Sequence, residues 1–156
     1  MRGGGRGQSL LYVVVLMPAL LLILALSVEI ALLQVTGLRL RSALDLASVG
    51  GASVVDTTYY SQTGSLRLDT HRSSLAAREI LARNLTGLGA GRRAALSAEI
   101  TVLNDVPGRD PYSGALLDRP AVCIRAHLPV DAGLLRLIGA PAWLTLTRTA
   151  DAELRA

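Results

Sequence analysis

One unbroken apolar run near the start of the chain, Leu10 to Leu33, constrains its fold more than anything else; it reads LLYVVVLMPALLLILALSVEIALL. About 20 apolar residues in a helix cross the hydrocarbon core of a bilayer. The run is that long and carries a single charge, Glu29. It predicts a transmembrane helix. A signal peptide has an apolar region of only about 7–15 residues, followed by a small-residue cleavage site. Here Gln34-Val35-Thr36-Gly37-Leu38-Arg39 follows instead, so a retained anchor is expected. Both flanks are basic, with Arg2 and Arg6 before the run and Arg39 and Arg41 after it. The positive-inside bias is therefore weak. A short tail before the anchor and a large domain after it fit a cytoplasmic N-terminus and an extracytoplasmic domain.

Setting aside roughly the first forty of the 156 residues leaves enough chain for one small domain with its own core. The net charge of +4 is concentrated around the anchor, and the remainder holds twelve Arg against eleven acids. No basic stripe of the kind that follows a phosphate backbone is present, so nucleic acid is not an expected partner. Cys123 is the only cysteine. It excludes an intramolecular disulfide and a thiolate metal site built from one chain.

Periodicity divides the chain further. Residues 1–9 read as a flexible Gly/Arg tail and 10–33 as the transmembrane helix. Pro18 lies inside that helix, where a missing donor is tolerated as a mild kink. Leu40, Ala43, Leu44, Ala47, Gly50, Gly51 and Val54 then recur at steps of three and four. The helix should thus continue outward over 34–58, ending near Asp56. Its small residues Ala43, Ala47, Gly50 and Gly51 allow close approach, either by the protein's own sheet or by neighbouring copies. Residues 59–156 form the expected extracytoplasmic domain. Tyr59 to Ser65 reads as a polar turn, and Leu66 and Leu68 as a short strand. Ser73 to Leu85 reads as an amphipathic helix with Leu75, Ala76, Ile80, Leu81 and Leu85 inward, ended by Gly87, Gly89 and Gly91. Strands are expected from Ala98 to Leu103, from Val122 to Leu128 and from Trp143 to Leu154, where the period is two. Asn104 to Pro120 is a loop, and Asp131 caps a turn through Leu134, Leu135, Leu137 and Ile138. One wet face on these strands implies an antiparallel sheet covered by the two helices. The fold class is α+β: a transmembrane helix extended into a long amphipathic helix and packed on a small antiparallel sheet, a pilin-like lollipop.

Arg6-Gly7, then four residues, Tyr12, and later Pro18 resemble the start of the TadE/TadG family, the minor pseudopilin-like components of tight-adherence (Flp) pilus machines. Glu29 matches the acid near the outer end of that family's apolar run. Leu40-Arg41-Ser42-Ala43-Leu44-Asp45-Leu46-Ala47-Ser48-Val49-Gly50-Gly51-Ala52 is similar to the Leu-x-x-Ala-x-Asp-x-Ala stretch of TadG-like members. TadE-type members carry Glu five residues after the Gly, where this chain has Tyr12. TadG-like members lack that Glu, so the resemblance implies a retained anchor of the TadG-like kind. It also marks Gly7 and Gln8 as the place where a prepilin peptidase would cut. It implies a structural, non-enzymatic component of a tight-adherence pilus or related secretion machine. The second reading is an accessory single-span subunit of a larger membrane complex. Membrane lipid and other subunits, including copies of itself, are the expected partners, with no cofactor and no small-molecule substrate.

The assembly candidates are Tyr12, Pro18, Glu29, Ala43, Asp45, Ala47, Gly50 and Gly51. Glu29 either snorkels to the outer interface or contacts a partner within the membrane. Asp45 either pairs with Arg41 four residues back or with another subunit. His71 and His127 have no Cys, His or acid at ligand spacing. Cys123 is placed on a strand's polar face, as a free thiol or as one paired with a partner chain. Asn104, Asp105 and Asp110 lack calcium-loop spacing. No nucleophile–base set and no phosphate loop is present, so no enzyme and no metal site is expected.

Overall fold

The computed structural model describes residues 5–154, with side chains from Tyr12 onward. The first helix, α1, runs without a break from Gly5 to Ala52, 48 residues including Pro18. At 1.5 Å per residue it is about 70 Å long. It is the one helix among the described residues long and apolar enough to cross a membrane. Its two halves differ in environment. From Val13 to Leu24 every side chain is exposed, whereas Leu40, Ala43, Leu44 and Ala47 are buried.

The buried half belongs to a small α+β head. Asp56 caps a short helix, α2 (Thr57–Thr63), by accepting from Tyr59 N at 3.0 Å. Asp69 caps α3 (Thr70–Asn84) through Arg72 N at 3.0 Å. A 3-10 turn (Thr86–Leu88) and a short helix, α4 (Ala90–Ala95), lead into the first strand. The strands β1 (Ser97–Leu103), β4 (Ala121–Asp131) and β5 (Trp143–Glu153) form one antiparallel sheet in the order β1–β4–β5. Ile100 stands opposite Ile124, and Leu128 opposite Leu146. Between β1 and β4 a two-residue hairpin pairs β2 (Gly108–Arg109) with β3 (Leu116–Leu117).

The sheet is central because β4 is apolar at every second residue. Val122, Ile124, Ala126, Leu128 and Val130 meet Leu40 and Leu44 of α1 and Ala77 and Leu81 of α3 in one core. A fully buried Leu such as Leu40 or Leu44 contributes about 2–3 kcal/mol by leaving water. The helices cross closely at Gly51. A Cβ there would stand 3.1 Å from Ala77 Cβ and from Ser73 O, and 3.3 Å from Val122 Cγ1.

Several expectations are corrected. The long helix ends at Ala52 rather than near Asp56, and the polar turn from Tyr59 to Ser65 falls largely in α2. Leu66 and Leu68 form no strand; Val55 and Leu68 make a single bridge. On α3 Ile80, Leu81 and Leu85 pack inward as expected, but Ser73 and Ala77 complete that face and Leu75 is exposed. The close crossing at Gly51 explains this, since it admits only small side chains where the sequence pattern favours leucines. After α3 ends at Asn84, a 3-10 turn over Thr86–Leu88 leads into α4, a helix the glycines gave no sign of. Of the tail 1–9, residues 1–4 lie outside the described residues, and α1 begins at Gly5.

Candidate functional site

The singular feature is the junction of α1 with the connection between β4 and β5. That connection is a 3-10 turn, Gly133–Ile138. Asp131 Oδ1 accepts from Gly133 N at 2.9 Å and from Arg136 Nη2 at 2.7 Å. Arg136 Nη2 also donates to Ala142 O at 3.1 Å, and Ala132 N donates to the same carbonyl at 3.1 Å. The loop is thereby closed on itself. Its next amide, Leu134 N, donates to both carboxylate oxygens of Glu29, at 2.8 and 3.0 Å. Gly133 has φ +48°, and a Cβ on it would collide with Glu29 Oε1. Glycine is therefore required here both for the left-handed conformation and for the approach of the carboxylate. Glu29 thus binds the protein's own head, an intramolecular contact beyond the two roles read from sequence.

The small-residue stripe is also used internally. Ala43 and Ala47 are buried on the core side of α1, and Gly51 lies against α3 and β4. Gly50 faces the end of the Ile80 side chain. Asp45 is exposed and lies 4.0 Å from Arg41, an i,i+4 pair on the helix surface. Such a pair is worth a few tenths of a kcal/mol at most. Pro18 and Tyr12 lie in the apolar half, both inside α1. Gly7 and Gln8 fall in its first turns, and their side chains lie outside the described residues.

What sequence reading missed is the opposite face of α1. Val35, Leu38, Leu46 and Val49 are exposed there. They recur at spacings that keep them on one side of a helix. The same ridge continues downward through Val28 and Leu32. Leucine and valine in the outer half were available as a signal, but the small residues beside them drew the pattern to the buried side.

The other candidates are structural. Cys123 is buried rather than on a wet face. The 104–120 segment folds over that end of the sheet, where Leu117, Ala121 and Cys123 form a second cluster with Leu103 and Tyr112. Tyr112 is held by Thr101 Oγ1 at 2.9 Å and by the Arg125 guanidinium 4.5 Å above its ring. Asp110, within this strap, is buried. It accepts from Tyr112 N at 2.8 Å, from Ser113 N at 3.2 Å and from the Ser113 hydroxyl. Burial raises the Asp110 pKa, but donors from Ser113, Tyr112 and Cys123 outweigh it and hold the carboxyl below its ordinary value. Burial, then the Asp110 charge, pushes the Cys123 thiol up to about 12. A raised thiol pKa lowers the thiolate fraction, the form that attacks and binds metal.

Asn104 clamps residue 68, its side chain accepting from Leu68 N at 2.8 Å and donating to Leu68 O at 3.1 Å. His127 Nδ1 meets Thr147 Oγ1 at 2.9 Å, and His71 lies in the first turn of α3. Among the described residues no three His, Cys, Asp or Glu side chains come together as a metal site. An open cleft of about 600 Å³ lies between the end of α1, the β2–β3 hairpin and the end of β5. Asp151 lines it; burial first, then the charges of Asp110, Glu153 and Asp45, raise its pKa. Neither a protein-family model nor a curated protein nor a solved structure matches the chain.

Proposed function

We propose that this protein is a single-pass membrane protein with a structural role, a pseudopilin-like component of a tight-adherence pilus or related secretion machine. The continuity of α1 carries the reading. A helix that is bare and apolar over its first half becomes the core of the head over its second half. A head built around its own anchor holds a fixed angle to the bilayer, as a subunit stacked by its helix requires. The N-terminus with Arg2 and Arg6 lies in the cytoplasm, and the head lies outside.

Assembly then uses the ridge of Val35, Leu38, Leu46 and Val49, because the Ala/Gly stripe is already occupied by α3 and β4. On this reading the head contributes shape: its one cysteine is buried, and its buried acid is bonded to turn amides. Purification from native membranes, with mass spectrometry of the N-terminus and of co-purifying chains, tests the reading. Pilus-assembly subunits should co-purify with the wild type and be lost with Leu38→Glu. Redox or transport subunits in their place would favour the accessory-subunit reading. A mature start at Gln8 would support peptidase processing; a start at Met1 or Arg2 would rule it out.

A further inference from the structure

We infer that the tip of the head is a second membrane contact: Leu134, Leu137, Ile138 and Trp143 form an apolar foot that rests in the outer leaflet beside α1. This rests on the reading of α1 as the membrane span.

The level of the foot follows from two independent measures. About 20 helical residues cross the hydrocarbon core, so a span counted from Leu10 reaches its outer edge at the turn holding Glu29. Glu29 in turn holds Leu134 N at 2.8 Å. The strand β5 gives the second measure. The Arg148 guanidinium reaches Gly37, and at the far ends of β5 and α1 Glu153 and Ala52 line one cleft. From Glu153 back to Trp143 is ten strand residues, about 33 Å; from Ala52 back to Glu29 is 23 helical residues, about 34 Å. Trp143 therefore falls at about the level of Glu29, at the hydrocarbon edge.

The chemistry of the tip suits lipid and not water. Leu137, Ile138 and Trp143 are 68%, 65% and 63% exposed, and Leu134 is 38% exposed. The loop bearing them is closed by its own hydrogen bonds, so the exposure is built in. Its two charges, Asp131 and Arg136, are paired with each other at 2.7 Å. A neutralised, apolar tip ending in a Trp matches the composition of membrane interfaces, where amphipathic rings sit at headgroup level. At the same level Val28 and Ile30, the neighbours of Glu29 in α1, are exposed, and the span reading already places them against lipid. The head would therefore stand on the bilayer at two points, and Glu29 is the brace between them.

Trp143 is the only tryptophan in the chain, so its emission reports the foot alone. The full chain is reconstituted in phosphatidylcholine vesicles, with or without lipid brominated near the top of the acyl chains. We expect about two-fold quenching by the brominated lipid and weak quenching by aqueous acrylamide, as for an interfacial ring. Leu137→Asp with Ile138→Asp, at exposed positions that leave the core untouched, should remove the lipid quenching while the chain stays resistant to alkaline carbonate. Strong acrylamide quenching without lipid quenching, in a carbonate-resistant chain, would overturn the foot and leave the span standing. Shielding from both quenchers would mean that protein covers the tip, and would overturn it equally. Extraction of the chain by carbonate would overturn the span and the foot together.

Discussion

Removing the Glu29 carboxylate should loosen the tip of the head without unfolding it. In the structure both oxygens accept from Leu134 N, at 2.8 and 3.0 Å. A hydrogen bond to a charged group contributes about 1.5–3 kcal/mol when the partner would otherwise be unsatisfied. The amide is on the exposed side of the turn, where water can replace the carboxylate, so the low end applies. Glu29→Leu should therefore favour opening of the turn by about 1.4 kcal/mol, a factor of about 10. Glu29→Gln keeps an acceptor and loses the charge, which should give an intermediate effect. Gly133→Ala should act in the same direction, because its Cβ displaces Glu29 Oε1 and its φ of +48° strains any L side chain. Amide hydrogen exchange of the full chain in lipid nanodiscs reads this directly. Leu134 N–H should exchange about 10-fold faster in Glu29→Leu, while Ile124 N–H in the central strand keeps its protection. Unchanged exchange at Leu134 would refute the brace. An equal rise at Ile124 would show that Glu29 supports the whole head rather than its tip.

Other outcomes follow from the seam and the strap. Gly51→Ala should lower the melting temperature, because fixed atoms at 3.1–3.3 Å on three sides oppose the new methyl at a cost of about 1–3 kcal/mol. Gly50→Ala should be neutral or stabilising: its only obstacle is the flexible end of Ile80, and helix propensity gains about 0.5–1 kcal/mol. A reversed order in thermal unfolding would contradict the packing described. The Cys123 thiol, pushed up to about 12, should resist alkylation at neutral pH in the folded chain and react on denaturation; rapid labelling of the native protein would place it at the surface. Asp110 has a folded-state pKa below its ordinary 3.8, so it stabilises the fold above that value and loses the contribution as pH falls through the folded pKa. Asp110→Asn should be less stable than wild type at neutral pH, with the gap in urea unfolding closing in strong acid; a gap independent of pH would rule out the charge as its cause.

The parts of the fold legible in the sequence were those set by one repeating pattern. The run from Leu10 to Leu33 could only be a long apolar helix, and the alternation of Val122, Ile124, Ala126 and Leu128 gave a strand with one dry face. The pattern failed where packing overrode it. Leu75 reads as core, yet the approach of Gly51 gives that place to Ser73 and Ala77. Residues 57–63 are poor helix formers; the available signals were Asp56 as a cap and Gly64, whose φ is +70°. Cys123 reads as wet because its cover, the 104–120 strap, is irregular chain without a periodic signature. The bond between Glu29 and Leu134 joins residues 105 apart in sequence, and no local rule connects them. The Leu-rich turn was visible, but its exposure and its level beside Glu29 emerge only from the assembled fold.

The central claim is that α1 lies in the bilayer over its first half and stands outside it over its second. Single cysteines at Leu20 and Arg41 test this most directly, because Cys123 is buried and silent. Both positions are exposed, at 64% and 67%, and Arg41 stands off the ridge proposed for assembly. In intact cells an impermeant maleimide should label Arg41→Cys and leave Leu20→Cys unlabelled until detergent is added. Equal labelling of the two would contradict the span. Labelling of Arg41→Cys only after the membrane is opened would contradict its orientation.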